Sequence, residues 1–266
     1  MSRLLVCPPD YFRIDYEINP WMRRSNVVDP EEAVRQWHRL MEVLEKEVGV
    51  VLERMKPTPG LPDLVFTANA GVVVGQRAVP SRFRYPERQR EEAYFEGWFR
   101  EHGYEIITLD EGMYFEGAGD LLGYPDCWFG GYRQRSEIRA FPILSELFNK
   151  EILPVELIDN RFYHLDTCFC PLSGGELLYY PAAFDHYGRT AIDERVSADH
   201  RLAVPEQEAL RFACNAVCAG KHVVLPAGCP DTMALLISRG YEPHPVPLDE
   251  FMKSGGSAKC LTLALD

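Results

Sequence analysis

HGYEIITLDEGMYF, residues 102–115, returns as RGYEPHPVPLDEFM at residues 239–252. In each copy a helix-length segment stops at a glycine, Gly103 or Gly240, and an extended apolar stretch leads on to Leu-Asp-Glu. A second pair lies upstream of these: ANAGVVVGQRAVP at 68–80 and CNAVCAGKHVVLP at 214–226. Self-similar stretches of this kind mark one supersecondary unit repeated about an axis rather than two unrelated domains. Working outward, the same order recurs. A strand is expected over 3–7, then a helix over 30–48, with Asp29 as N-cap and Pro30 at its first position. Ala33, Val34, Trp37, Leu40, Met41, Leu44 and Val48 recur there at helical spacing. Gly49 ends that helix, and a strand opens over 50–52. Strands at 64–67 and 72–74, a helix over 86–102 and a strand over 104–109 repeat the pattern. So do 128–129, a helix over 136–149 and a strand over 152–158, and finally 223–225, a helix over 231–238 and a strand around Val246. The fourth unit, within 168–204, carries the weakest pattern. The expectation is one α/β domain over residues 1–266, about five ββαβ units around an axis with their helices outside.

Composition narrows what such a domain does. A formal charge of −12 and a pI near 5.1 argue against a general nucleic-acid or anionic-membrane surface, both of which need a net basic footprint. No apolar run approaches the roughly 18 residues of a membrane span. The opening MSRLLVCPPD is too short and proline-broken for a secretion signal. The eight cysteines are therefore expected to be reduced, in the cytoplasm. Cys168-Phe-Cys170 and the Cys214/Cys218 pair lack the CxxC spacing of zinc ribbons. With no GxGxxG or Walker pattern either, neither a metal nor any other cofactor is expected.

Polar clusters fall at the junctions of the units. They are FTANAG at 66–71, FEGAGD at 115–120, FYHLDT at 162–167, and SGGSAKCLTLALD at 254–266. In a ring of equivalent units such corners converge on the axis. Cys260 follows a glycine pair that lets backbone approach a ligand closely. A free cysteine is most often a small buried residue, but an ionised one is the strongest common nucleophile, and Lys259 beside it adds positive charge that favours thiolate. Its final strand is expected over 261–265. His164 and Asp166 are two apart, so on a strand they face one side. Asn69 has an ordinary reading as a turn residue, and Glu116 and Asp120 as solvated loop acids. The coincidence of all four clusters favours a site.

These blocks, with INPWM at 18–22, resemble the guanidine-modifying enzymes of the amidinotransferase, arginine deiminase and dimethylarginine dimethylaminohydrolase superfamily. Within it they are most similar to the arginine dihydrolase module of cyanobacterial arginine-guanidine-removing enzymes. The resemblance spans essentially the whole chain and implies the pentein fold, a five-bladed α/β propeller. It implies Cys260 as nucleophile, His164 as acid/base, and Glu116 as the carboxylate that holds guanidine nitrogens and assists the histidine. Asp166 then holds the substrate from the opposite side, Arg88 and Arg135 grip its carboxylate, and Asn19, Asn69 and Asp120 complete the binding set. The substrate is expected to be L-arginine or a related small guanidino compound, with homo-oligomerisation left open. Deiminases usually carry aspartate where this chain has Asn69, which favours a dihydrolase ending at ornithine over a hydrolase stopping at citrulline. A non-catalytic pentein is disfavoured because Cys260, His164, Glu116 and Asp166 are all present. The cyanobacterial enzymes continue into a second domain that these residues do not include.

Overall fold

The computed structural model describes residues 2–265; Met1 and Asp266, the two ends of the expected domain, lie outside the described residues. Strand β1 (Arg3–Val6) runs parallel to β2 (Val51–Arg54), with the helix Pro30–Glu42 in the connection. Next, β3 (Gly71–Val74) pairs antiparallel with β4 (Arg77–Pro80), and β4 pairs parallel with β5 (Glu105–Ile106). The arrangement repeats in β6 (Leu121–Gly123), β7 (Trp128–Tyr132) and β8 (Ile152–Glu156). It repeats in β9 (Phe169–Pro171), β10 (Leu177–Tyr179) and β11 (Arg201–Ala203). It repeats again in β12 (Val217–Ala219), β13 (His222–Pro226) and β14 (Glu242–Val246). Finally β15 (Leu263–Ala264) supplies the antiparallel first strand for β1, with Leu4 opposite Ala264, and so closes the ring. Each parallel pair needs a crossover, and a helix provides it every time. This is the pentein fold, and the unit within 168–204 is a complete blade.

Local chemistry explains the elements. Asp29 Oδ1 accepts from Glu31 N and Glu32 N, both at 3.0 Å, and Pro30 starts the helix. That helix buries Ala33, Trp37, Leu40 and Met41 against the sheet; each large side chain so removed from water contributes roughly 1.5–3 kcal/mol. Its last turns, Val43–Val48, widen to a π-helix and end at Gly49, whose φ of 80° is left-handed. Among the described residues, no helix is long and apolar enough to cross a membrane.

Several expectations need correction. Residues 64–67 are not a strand: Pro62–Val65 and Thr67–Ala70 are 3-10 turns that carry buried chain inward to the axis. The helix over 86–102 is two pieces, Pro86–Gln89 and Glu92–Glu101, divided where Arg88 and Glu91 turn inward as a buried ion pair. The helix expected from 136 begins at Ala140, because Ser136 is spent on Asp120 and Glu116. His164 and Asp166 do not share a strand face. His164 is extended and Leu165–Thr167 is a 3-10 turn, so the two side chains diverge.

The corners do converge. β3, β6 and β9 are each entered from a 3-10 turn, Thr67–Ala70, Gly117–Gly119 and Leu165–Thr167. β12 and β15 are entered from tight turns at 210–214 and 258–261. Apolar cores lie between sheets and helices, whereas the turns around the axis bury polar groups: Asp63, Asn69, Arg88, Glu91, Glu116, Asp120, Arg135, His164, Asp166 and Asn215.

Candidate active site

Cys260, 2% exposed, stands in the turn before β15. Its Sγ is 3.5 and 3.7 Å from the two oxygens of Asp166, to which the thiol can donate, and it receives the Asn215 amide Nδ2 at 3.0 Å. Lys259 Nζ reaches the Thr262 carbonyl at 3.4 Å, and its charge acts on both Asp166 and Cys260.

Across the axis, Glu116 Oε2 accepts from Arg135 at 3.0 Å and lies 2.7 Å from His164 Nε2, and Oε1 accepts from the Arg84 backbone N–H at 3.1 Å. Against this carboxylate, His164 Nε2 acts as donor. Arg135 is stacked between Tyr85 and Tyr163, each centroid 4.7 Å from its guanidinium carbon, and also donates to the Ile18 carbonyl. Arg88 donates to both Glu91 oxygens, to the Asp63 carbonyl and to Asn69 Oδ1 at 2.9 Å. Asn69 Nδ2 donates to the Glu116 carbonyl at 3.2 Å. Gly119 makes that approach possible, since a Cβ there would meet Asn69 Nδ2 at 2.4 Å.

Two expected site residues serve the frame. Asp120 is turned away from the cavity: one oxygen accepts from Ser136 Oγ at 2.7 Å and from Ser136 N, the other from Leu165 N at 3.0 Å. Asn19 ties the first loop to the last, its Oδ1 accepting from Trp21 N and Met22 N and its Nδ2 donating to the Ser254 carbonyl. It nevertheless joins Cys260, Asn69, Arg88 and Arg135 in the wall of a small chamber of about 10 Å3, with Ile18, Asp63, Phe66, Tyr163 and Ser254. Ile18, Asn19, Arg135 and Tyr163 also line an outer cleft of about 660 Å3.

Asp63 and Asn215 were not singled out by sequence reading. Asp63 Oδ2 accepts from Tyr16 at 3.0 Å, while the buried Oδ1 has no hydrogen-bond partner. Nothing in LPDLVF marks this acid. Asn215 had a signal: it occupies in CNAVCAG the place of Asn69 in ANAGVVV. Among the described residues, His222, Glu242 and His244 form one grouping of metal-ligating side chains, with His222 Nδ1 and His244 Nε2 hydrogen bonded at 2.9 Å; none of them lines the chamber.

Burial sets the electrostatics. It pushes the Cys260 thiol well above its usual range, reinforced by Asp166 and opposed by the Ser257 backbone and the Asn215 amide. It pushes Asp166 up to about 7, against the pull of Lys259. Burial would raise Glu116 too, but the Arg135 guanidinium and then the His164 hydrogen bond outweigh it and hold this acid well below the usual carboxylate range. One carboxyl stays ionised while the other, beside the thiol, titrates near neutrality. A folded-state acid raised above its unfolded value binds a proton the unfolded chain releases, so Asp166 costs stability increasingly as pH rises from about 4 to 7. Asp166→Asn is expected to raise Tm by several degrees, about 1–3 kcal/mol, with the larger gain at pH 8 than at pH 5. Thermal melts at the two pH values check this, and a lower Tm at pH 8 would refute it.

Five ββαβ blades with a buried cysteine, histidine and acid pairs on their axis define a pentein with the makings of a nucleophilic site. A family profile described as N,N dimethylarginine dimethylhydrolase, eukaryotic, matches residues 9–265, and the chain belongs to this family. The chain is 46% identical over 264 residues to the bifunctional arginine dihydrolase/ornithine cyclodeaminase ArgZ of a Synechocystis species, covering 98% of this chain and 37% of that one. It thus spans little more than a third of that relative. It is 37% identical to the N(G),N(G)-dimethylarginine dimethylaminohydrolase of Mycobacterium tuberculosis, over 99% of this chain and 85% of the relative. A crystal structure of the N-terminal domain of ArgZ, an asparagine-to-serine variant covalently bound to a reaction intermediate, superposes with a TM-score of 0.97 at 44% identity, covering 100% of this chain and 98% of that one.

Proposed function

We propose that this chain hydrolyses L-arginine to ornithine, carbon dioxide and two molecules of ammonia, with Cys260 as the nucleophile. The observation that carries the reading is that Cys260 opens onto the chamber together with Asn69, an uncharged amide held by Arg88, while Asp166 lies against its sulfur and Glu116 is hydrogen bonded to His164. The similarity to ArgZ over the whole of its arginine-dihydrolase domain supports it.

A guanidinium entering between Asp166 and Glu116 brings positive charge beside the thiol, which favours its ionisation. Cys260 Sγ then bonds to the guanidinium carbon, His164 gives a proton to one nitrogen, and ammonia leaves. An S-alkylthiouronium remains. Water, losing a proton to His164, adds to the same carbon, and the C–S bond breaks to give citrulline. A second round on citrulline consumes another water and releases ammonia, carbon dioxide and ornithine. The amino-acid end of the substrate lies toward the outer cleft, where Arg135 retains further N–H donors for a carboxylate. The unpartnered Asp63 Oδ1 offers an acceptor to an ammonium. All eight cysteines are free, which supports a reducing compartment, the cytoplasm.

Incubation with L-arginine tests the reading when ornithine, citrulline and ammonia are quantified together. Ornithine with two ammonia per arginine is expected, and stoichiometric citrulline with one ammonia would replace the dihydrolase by a deiminase. Release of dimethylamine from dimethylarginine, with arginine untouched, would replace it by the reaction for which the family is named. Agmatine, arginine without its carboxylate, forfeits a charge-assisted hydrogen bond of about 1.5–3 kcal/mol. Its kcat/KM is expected to be about 10- to 100-fold below that of arginine. Equal efficiency on the two would remove the carboxylate clamp.

A further inference from the structure

We infer that Asn215 is the thiolate-stabilising residue of this site, a side chain that both shapes the turn carrying Cys260 and donates a hydrogen bond to its sulfur. The inference rests on Cys260 being the nucleophile proposed above.

Asn215 is fully buried, and every hydrogen-bonding position of its amide needed to fix its orientation is filled. Oδ1 accepts from the backbone N–H groups of Ser257 at 3.0 Å and Cys260 at 3.1 Å. Nδ2 donates to the Asp166 carbonyl at 3.0 Å and to Cys260 Sγ at 3.0 Å. The reverse orientation would set an NH2 against two N–H donors and an oxygen against a carbonyl, so the N–H toward sulfur is imposed by the backbone around it. One side chain thereby links three corners of the ring: its own, before β12; that of Asp166, before β9; and that of Cys260, before β15.

The donor matters because burial and the acid beside the thiol oppose its ionisation. Asp166 places a carboxyl 3.5 Å away, and Tyr163, which couples electrostatically to Cys260, is buried without charge. The Lys259 ammonium acts on the sulfur and on Asp166 through its charge, while its hydrogen bond goes to the Thr262 carbonyl. Asn215 and the Ser257 N–H offer a proton to sulfur without adding negative charge. The repeat supplies an independent argument. Asn69 and Asn215 both stand two residues before the first strand of their blades. Asn69 faces the substrate chamber and Asn215 faces the nucleophile.

Asn215→Asp separates the two roles. It keeps an oxygen for Ser257 and Cys260 N–H and replaces the N–H at sulfur with a second oxygen. Asn215→Ser removes the donor without adding charge. The readout is the pH profile of iodoacetamide alkylation at Cys260, followed on its own peptide by mass spectrometry, with the half-exposed Cys218 as internal reference. In both variants the Cys260 midpoint is expected to rise by about one pH unit or more, a tenfold loss of thiolate at fixed pH. kcat is expected to fall at least tenfold while KM changes less than about threefold. In the unsubstituted protein, the side-chain amide proton of Asn215 is expected to shift downfield as Cys260 ionises, seen by NMR with 15N-labelled asparagine. That measurement holds even where a variant fails to fold. An unmoved midpoint in a folded variant, or an amide signal indifferent to Cys260 ionisation, would overturn the inference. Neither the alkylation midpoint nor the amide shift uses a substrate, so a protein that ignores arginine yet shows both shifts would sink the dihydrolase reading and leave this one standing.

Discussion

Cys260→Ser is expected to lower the rate of ornithine formation from arginine on the order of 10^4-fold or more. A hydroxyl ionises far above neutrality, and neither Asn215 nor the Ser257 N–H can make an alkoxide of it at pH 7. The serine is small enough for the cavity, and the groups proposed to bind the substrate, Asp63, Glu116, Arg135 and Asp166, are untouched. Arginine is therefore expected to raise the melting temperature of the variant and of the parent alike. Turnover within tenfold of the parent would end the covalent mechanism. Loss of the ligand-induced thermal shift together with activity would move the role of Cys260 from chemistry to binding.

The second large effect concerns which product leaves. In Asn69→Asp the oxygen facing Arg88 is kept, but the group facing the Glu116 carbonyl at 3.2 Å changes from an N–H donor to an oxygen. Guanidinium still meets an acidic wall, so the first hydrolysis should survive. Citrulline is neutral and presents a carbonyl oxygen, which an amide N–H can hold and a carboxylate opposes unless it takes up a proton, at a cost that grows with burial. The ratio of citrulline to ornithine released is expected to rise at least tenfold, citrulline becoming the main product. An unchanged ratio would show that Asn69 does not select between the two outcomes.

What could be read in advance followed the range of the interactions involved. Helix, glycine and strand are local, so four blades showed themselves in the junctions at Gly49, Gly103, Asn149 and Gly240. The blade of β9, β10 and β11 did not, because three-residue strands are too short for alternation to register. The corner clusters were visible for a similar reason: glycines such as Gly119 stand beside the polar groups they admit. The pairings among those groups were not visible. That Arg135 belongs to Glu116 and Arg88 to Glu91 and Asn69 depends on which turns meet at the axis. Sequence spacing put His164 and Asp166 on one face, and only the 3-10 turn between them sends one to Glu116 and the other to Cys260. Asp63 left no trace because a lone acid between apolar residues has no period.

The seam between β15 and β1 has a consequence for when this protein becomes reactive. The turn holding Cys260 runs directly into the strand that locks against β1, so the stretch that completes the ring also carries the proposed nucleophile. Until Leu263 lies opposite Leu5, the acids and arginines of the other corners have no sulfur to work with, and the sulfur has neither Asn215 nor Asp166 beside it. On the proposed mechanism, chemical competence therefore arrives with topological closure. On the proposed mechanism, a chain clipped before that seam keeps the acids and arginines of the other corners and lacks the sulfur they would serve.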